Sequence, residues 1–318
     1  MKLPERPDRA WLASSIAPVA LLLVTACGGA GSPTAPLAAS PVAVAPTPAP
    51  SPKVAILSVD GLRADVLAKS ELPNLKGLAS RGAYTWSART VTPSETLPGH
   101  ASMLSGEEPR VHKITWDWND FNPEQGYITV PTAFSVARFA GLRTVMVVGK
   151  RKLQHLAPPG TVDSFVLTER GDRDVANEAI IQAGVGFDLL FVHFPDVDLA
   201  GHAEGWMSAA YMAKVGEVDE AIGRVLTALP AHTTVILTSD HGGKNRTHGA
   251  GVPENMTVPW IVAGPKVVRR GEMTAQVRQA DTAATALWVL GLSLPGSCAG
   301  AVVREPFTAP APLAGLSP

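Results

Sequence analysis

Three short apolar runs in this chain each stop on carboxylate and imidazole side chains, and this restricts the fold more than any other feature. The run 54–59 ends in Asp60-Gly61. The run 187–194 is followed by Asp196, Asp198 and His202, and the run 234–238 by Asp240-His241 with His248 shortly after. Runs this short and this apolar read as buried strands. Further strands are predicted over 143–148 and 260–263. Between the strands the period changes to helical over 72–81, 131–140, 175–183, 207–229 and 282–290. Pro131 opens the second of these in its first turn. The longest repeats Tyr211, Val215, Val218, Ile222, Val225 and Leu229 on one face. Strand and helix in alternation predict an α/β fold, a mostly parallel central sheet with helices on both faces.

Ligands of such sheets bind beyond the carboxyl ends of the strands. Three strands deliver carboxylates and imidazoles to that one edge, at a cost in like-charge repulsion unless a cation compensates. Imidazole with carboxylate and no thiolate suits catalytic zinc. Asp198 and His202 are four apart, so on a helix they face the same way. Asp240 and His241 are adjacent and must splay around a turn. Two metals about 4 Å apart can serve a nucleophile and a leaving oxygen together.

A candidate nucleophile lies in Thr92-Pro93-Ser94-Glu95-Thr96-Leu97-Pro98-Gly99-His100. Pro98 suits the first turn of a helix reaching about 104, which puts Thr96 just before it. There its hydroxyl can ligate a metal, and free amides can face a phosphoryl oxygen. The alternative is that Thr96 is a helix N-cap.

The 318 residues carry a net charge of −1, which argues against a protein that coats nucleic acid. The length fits one domain of roughly 250 residues with unstructured ends. Lys2, Arg6 and Arg9 precede an apolar stretch, and Leu23-Val24-Thr25-Ala26-Cys27 has the form of a bacterial lipobox. The expected organisation is a lipoprotein signal over 1–27, an Ala/Pro-rich tether over 28–52, a catalytic domain over 53–304 and a disordered tail over 305–318. A plain secretory signal is the alternative. Lipid on Cys27 would anchor an extracytoplasmic protein to a bacterial membrane, each buried methylene adding roughly 0.8 kcal/mol. Cys298 is then the one cysteine left, so no disulfide forms within the mature chain.

Together these segments resemble the alkaline phosphatase superfamily, and within it the type I phosphodiesterase/nucleotide pyrophosphatase family. The resemblance rests on the strand ending in Asp60-Gly61, on Thr96-Leu97-Pro98-Gly99-His100, and on Ser105-Gly106-Glu107-Glu108-Pro109-Arg110-Val111-His112. It extends to Asp198-Leu199-Ala200-Gly201-His202 and Asp240-His241-Gly242. It implies the alkaline phosphatase-like sandwich, a phosphoesterase activity with two Zn2+, and Thr96 as a nucleophile that becomes phosphorylated. It implies one zinc on Asp60, Thr96, Asp240 and His241, and the other on Asp198, His202 and a later histidine matched by His248. Asp196 is left either supporting His202 or competing with Asp198. The implied substrate is a phosphate ester or nucleotide-like small molecule. Oligomeric state is not readable.

Two positions depart from the family. Its phosphoryl-contacting Asn falls on Asp117, with Asn119 as the possible substitute. Lys150 and Lys152 look like the basic pair with which some phosphomonoesterases hold a doubly charged phosphoryl group, although Lys152 also reads as a solvated loop lysine. A phosphodiesterase is therefore expected, with a phosphomonoesterase as the alternative and a non-enzymatic surface lipoprotein as the alternative of another class. A sulfatase would need Cys/Ser-x-Pro-x-Arg at the nucleophile, and a serine hydrolase a Gly-x-Ser-x-Gly elbow. A cofactor-independent mutase would use a serine nucleophile in the cytoplasm. Trp116, Trp118, Phe121 and Trp206 are candidates to stack on a base, or packing residues.

Overall fold

The computed structural model describes residues 51–296 and 298–308. The chain opens with β1 (Lys53–Val59), α1 (Ala64–Lys69), α2 (Pro73–Ser80) and β2 (Ala83–Arg89). Next come α3 (Thr96–Ser105), α4 (Pro109–His112), α5 (Ala133–Phe139), β3 (Thr144–Val148) and β4 (Ser164–Leu167). The second half runs α6 (Asp172–Val185), β5 (Leu189–Phe194), α7 (Asp196–Glu204), α8 (Ala209–Ala228) and β6 (Thr233–Thr238). It closes with α9 (Pro253–Met256), β7 (Thr257–Ala263), the two-residue β8 (Gly271–Glu272) and α10 (Asp281–Val289).

The strands form one eight-stranded sheet in the order β4-β3-β5-β1-β6-β7-β2-β8. β1 lies at its centre, parallel to β5 and β6 on either side. β7 alone runs against its neighbours, β6 and β2. Alternate residues of a strand face opposite sides, and β1 feeds two cores. Val54 and Ile56 join Leu97, Phe134 and Leu287 of α3, α5 and α10. Ala55, Leu57 and Val59 join Leu67, Leu75, Val175 and Val215 of α1, α2, α6 and α8. Burial on both faces is why the central strands read as unbroken apolar runs. Each fully buried Leu or Ile there contributes about 1.5–3 kcal/mol.

The predicted elements are all present, with shifted ends. Thr132, not Pro131, starts α5: Thr132 Oγ1 accepts from the Ser135 amide and Ser135 Oγ accepts from the Thr132 amide. Pro131 therefore precedes the cap and is not in the first turn. α6 is longer than predicted because apolar spacing marks only its buried stretch, Val175 to Ala183, and misses the acidic first turn with Asp172 and Asp174. β2, β4 and β8 are additional strands toward the edges, where half-burial weakens the apolar signal.

The expected start of the tail at 305 is corrected. Glu305 to Phe307 form a 3-10 turn. The Glu305 carboxylate accepts from the Ala275 amide at 2.8 Å and pairs with Arg269 at 3.0 Å, and Phe307 packs on Trp288. Residues 1–50 and 309–318, which include the predicted signal segment and most of the tether, lie outside the described residues.

The turn from α3 to α4 hangs on a buried histidine. His112 Nδ1 accepts from the Ile114 amide at 3.1 Å, so its Nε2–H donates to Ser102 Oγ at 2.9 Å. Burial holds its pKa down at about 4. The folded value lies below the unfolded one of about 6.5, so this contribution is complete above about pH 6.5 and is lost as pH falls toward about 4. The urea midpoint should fall further between about pH 7 and about pH 5 in the wild type than in His112→Gln. An equal fall in both would show that His112 does not titrate there.

Candidate metal centre

β1, β5 and β6 run in parallel, so their carboxyl ends meet at one edge. Asp60 follows β1 and is fully buried. Its Oδ2 accepts from His193 Nε2 at 2.9 Å and from Lys150 Nζ at 2.8 Å. Burial alone would raise its carboxyl, but the Lys150 ammonium and the His193 hydrogen bond hold it well below the ordinary range. Its Oδ1 faces His241 Nε2 at 3.4 Å. Asp240 Oδ1 accepts from the amides of Gly61 at 3.1 Å and His241 at 2.9 Å. Asp240 Oδ2 lies 3.4 Å from His241 Nε2. Burial, then the charge of Asp60, push the Asp240 carboxyl well above its usual range.

The second group stands on α7 and the loop after β6. Asp198 Oδ1 is 3.5 Å from His202 Nε2 and 3.7 Å from His248 Nε2. The backbone fixes the tautomers. His241, His202 and His248 each direct Nδ1 at a main-chain carbonyl: those of Gly242 (2.8 Å), Arg246 (3.1 Å) and Ser94 (3.1 Å). A carbonyl can only accept, so each Nδ1 carries a proton and each Nε2 is the atom turned inward; burial opposes a charge on His241, but Asp240 and Asp60 raise its pKa overall. The Nε2 atoms of His202 and His248 are 3.0 Å apart. Burial, then His241, lower the His248 pKa to about 3, which keeps that ring neutral. At that distance the two nitrogens share either a proton or a metal ion.

The structure thus brings together two sets of three possible metal ligands, Asp60 with Asp240 and His241, and Asp198 with His202 and His248. Within each set the donor atoms lie within 4.8 Å of one another. Ligands 2.0–2.1 Å from a tetrahedral zinc stand about 3.3 Å apart, close to the 3.4 Å spacings of the first set. Asp60 Oδ1, Asp240 Oδ2, His241 Nε2, Asp198 Oδ1 and Thr96 Oγ1 are all buried without a hydrogen-bond partner. Leaving several such atoms together is costly. The donor set therefore fits metal ions.

Thr96 is the first residue of α3, with Glu95 at the cap, so it is not itself the N-cap. The first turn of α3 presses on Asp240: a Cβ on Gly99 would meet the Asp240 carbonyl oxygen at 2.8 Å. His100 accepts from Ser58 at Nε2 (2.8 Å) and donates from Nδ1 to the Thr96 carbonyl (2.8 Å), pinning that turn to β1. The sequence reading named His100 only within the Thr96–His100 motif, without a role, and missed His193. The available signal was a lone polar ring at each point where the apolar pattern is broken, His193 lying in register with Ser58.

Other expectations are corrected. Lys150 is no free cation: its Nζ bridges Asp60 (2.8 Å) and Asp198 (2.6 Å), tying the two sets together. Lys152 is 5% exposed and pairs with Asp117 at 2.9 Å, so it is not a solvated loop lysine. Asn119 is exposed; Asp117 accepts from the Leu97 amide at 2.9 Å. Asp196 neither supports His202 nor competes with Asp198. It exchanges amide–carboxylate hydrogen bonds, both 3.1 Å, with Asp172 and so joins the starts of α6 and α7. Trp206 is a packing residue beneath the histidines. Its Nε1 donates to the Gly61 carbonyl at 2.8 Å, and its ring lies 5.1 Å from that of His202. Trp116 and Phe121 pack on His155, which leaves Trp118, 52% exposed, as the free aromatic of the four.

A model of the type I phosphodiesterase/nucleotide pyrophosphatase family matches residues 54–252. The chain is 27% identical over 277 residues to the catalytic subunit of human GPI ethanolamine phosphate transferase 2, covering 79% of this chain and 27% of that protein. It is 30% identical over 221 residues to an uncharacterised pyrophosphatase/phosphodiesterase of Schizosaccharomyces pombe, covering 59% of this chain and 44% of that protein. It thus spans between about a quarter and under a half of these relatives. Murine ectonucleotide pyrophosphatase/phosphodiesterase 5, solved with AMP, shares the fold at a TM-score of 0.65 and 15% identity, over 77% of this chain and 96% of that one.

Gly201 and Gly243 clasp the Trp206 ring: a Cβ on either would meet it at 2.6 Å or 2.1 Å. Gly201→Ala should displace the ring beneath His202 and weaken metal binding by about 10- to 100-fold, as loss of ligand support does elsewhere. Titration of the apo protein with zinc measures this, and unchanged affinity would show that the ring does not position the ligands.

Proposed function

The chain belongs to the type I phosphodiesterase/nucleotide pyrophosphatase family, and on that premise we propose a two-zinc phosphodiesterase that works through phospho-Thr96. The reading is carried by the two groups of converging ligand atoms at the strand ends, together with the buried and unpartnered Thr96 Oγ1 at the start of α3. Asp60, Thr96, Asp240 and His241 would hold one ion, and Asp198, His202 and His248 the other. When bound, the ions supply charge that lowers the hydroxyl pKa and offsets charge on the phosphoryl oxygens.

Thr96 Oγ1 loses its proton to solvent, which returns one to the leaving oxygen, and attacks phosphorus in line with that oxygen. The Oγ1–P bond forms as the P–O bond to the leaving group breaks, and that group departs as an alcohol after protonation. Water then attacks the phospho-threonine, restoring the hydroxyl and releasing a phosphate monoester. An alcohol acceptor in place of water would give transfer, the chemistry named for the human relative. The substrate class is a phosphodiester of a small, nucleotide-like molecule. A phosphomonoesterase is disfavoured because both lysines suited to a dianion are already engaged by carboxylates. Residues 1–27 keep their reading as a lipoprotein signal, with Cys27 anchoring the domain outside the cytoplasm through the 28–52 tether.

The purified domain should carry two zinc ions per chain. Thr96→Ala should retain them and lose turnover by at least about a thousandfold, while His202→Ala should lose metal and turnover together. Undiminished turnover in Thr96→Ala would reject the nucleophile. In a bacterial host, Cys27→Ser should abolish palmitate labelling and membrane retention of the full chain; a labelled variant would refute the anchor.

A further inference from the structure

The amide next to the nucleophile is already taken. In the first turn of α3, Pro98 has no N–H and the Gly99 amide donates to the Glu95 carbonyl at 2.9 Å. The Leu97 amide therefore remains as a donor beside Thr96 for an incoming phosphoryl oxygen. Asp117 Oδ1 accepts from it at 2.9 Å. The other carboxylate oxygen is held by Lys152 Nζ at 2.9 Å, with side-chain exposures of only 6% and 14% for the two partners. Two independent contacts thus fix a negative charge where a phosphoryl oxygen would dock. Glu95 adds a second carboxyl nearby, pushed up by burial and then by the charge of Asp117. Lys150 cannot compensate at this end, since Asp60 and Asp198 engage it.

We propose that Asp117, clamped between the Leu97 amide and the Lys152 ammonium, selects singly charged phosphoryl groups over doubly charged ones, and so sets the preference for phosphodiesters over phosphomonoesters. The proposal rests on the reading of Thr96 as the residue at which the phosphoryl group docks. Coulomb repulsion scales with the product of charges, so a dianion meets about twice the penalty of a monoanion at the same distance. Asp117 touches the phosphoryl position and takes no proton in the reaction.

Asp117→Asn keeps an oxygen for the Leu97 amide, removes the charge and frees Lys152. In that variant the ratio of kcat/KM for nitrophenyl phosphate to that for bis(nitrophenyl) phosphate should rise at least about threefold, with zinc content unchanged. Calorimetry on the metal-loaded protein gives a readout independent of turnover. Asp117→Asn should tighten inorganic phosphate, a dianion at about pH 8, at least tenfold, and dimethyl phosphate by only about the square root of that factor. Lys152→Met should weaken phosphate more than dimethyl phosphate. An ester ratio within twofold of wild type, or equal changes for both anions, overturns the proposal. Failure of the wild type to cleave either ester, with the phosphate selectivity of Asp117→Asn intact, would reject the phosphoesterase reading and leave this assignment standing.

Discussion

Three carboxylates buried within reach of one another govern this molecule. Asp60, Asp198 and Asp240 are each at most 2% exposed, and a parallel sheet with β1 between β5 and β6 forces their strand ends together. Repulsion among them is answered from one side by the Lys150 ammonium, which reaches Asp60 and Asp198, and by the His193 N–H on Asp60. Neither reaches the unpartnered oxygens of Asp60, Asp198 and Asp240, which face the Nε2 atoms of His241, His202 and His248. What remains is an inward field of acceptors, and the ordinary answer to such a field is a hard or borderline divalent cation.

The parts of this that could be read from the chain were the ones with short-range signatures. Apolar runs ended by Asp or Asp-His marked β1, β5 and β6, because a strand buried on both faces is mostly apolar until it emerges. The i,i+4 spacing of Asp198 and His202 placed both on one side of α7. What was illegible depends on contacts far apart in sequence. Nothing local to Lys150 says that it will meet Asp60 across 90 positions, and nothing near Asp117 says that the Leu97 amide awaits it. Asp196 shows the converse. Its place in a ligand-like run made it a candidate, and only its exchange of hydrogen bonds with Asp172 reveals a joint between helices.

Support for the site lies one layer behind it. His100 bonds to Ser58 on β1 and to the Thr96 carbonyl, so the start of α3 is referred to the central strand and not to solvent-exposed loops. Tyr211 of α8 donates to the Gly61 carbonyl at 3.1 Å, which binds the turn after Asp60 to the longest helix. Gly61 itself has φ +69°, and a Cβ there would press on Asp198 at 3.0 Å. A side chain at that position would therefore separate the two ligand sets as well as strain the turn.

The Trp206 indole has a consequence of another kind. It donates to Gly61, beside Asp60, and packs on Gly201, beside His202, and on Gly243, two residues beyond His241. One rigid ring therefore abuts the chain next to ligands drawn from both sets. Ordering either set orders the surface against which the other must settle, so part of the entropy of organising the second position is lost when the first is filled. Filling one position would therefore favour filling of the other through this shared ring.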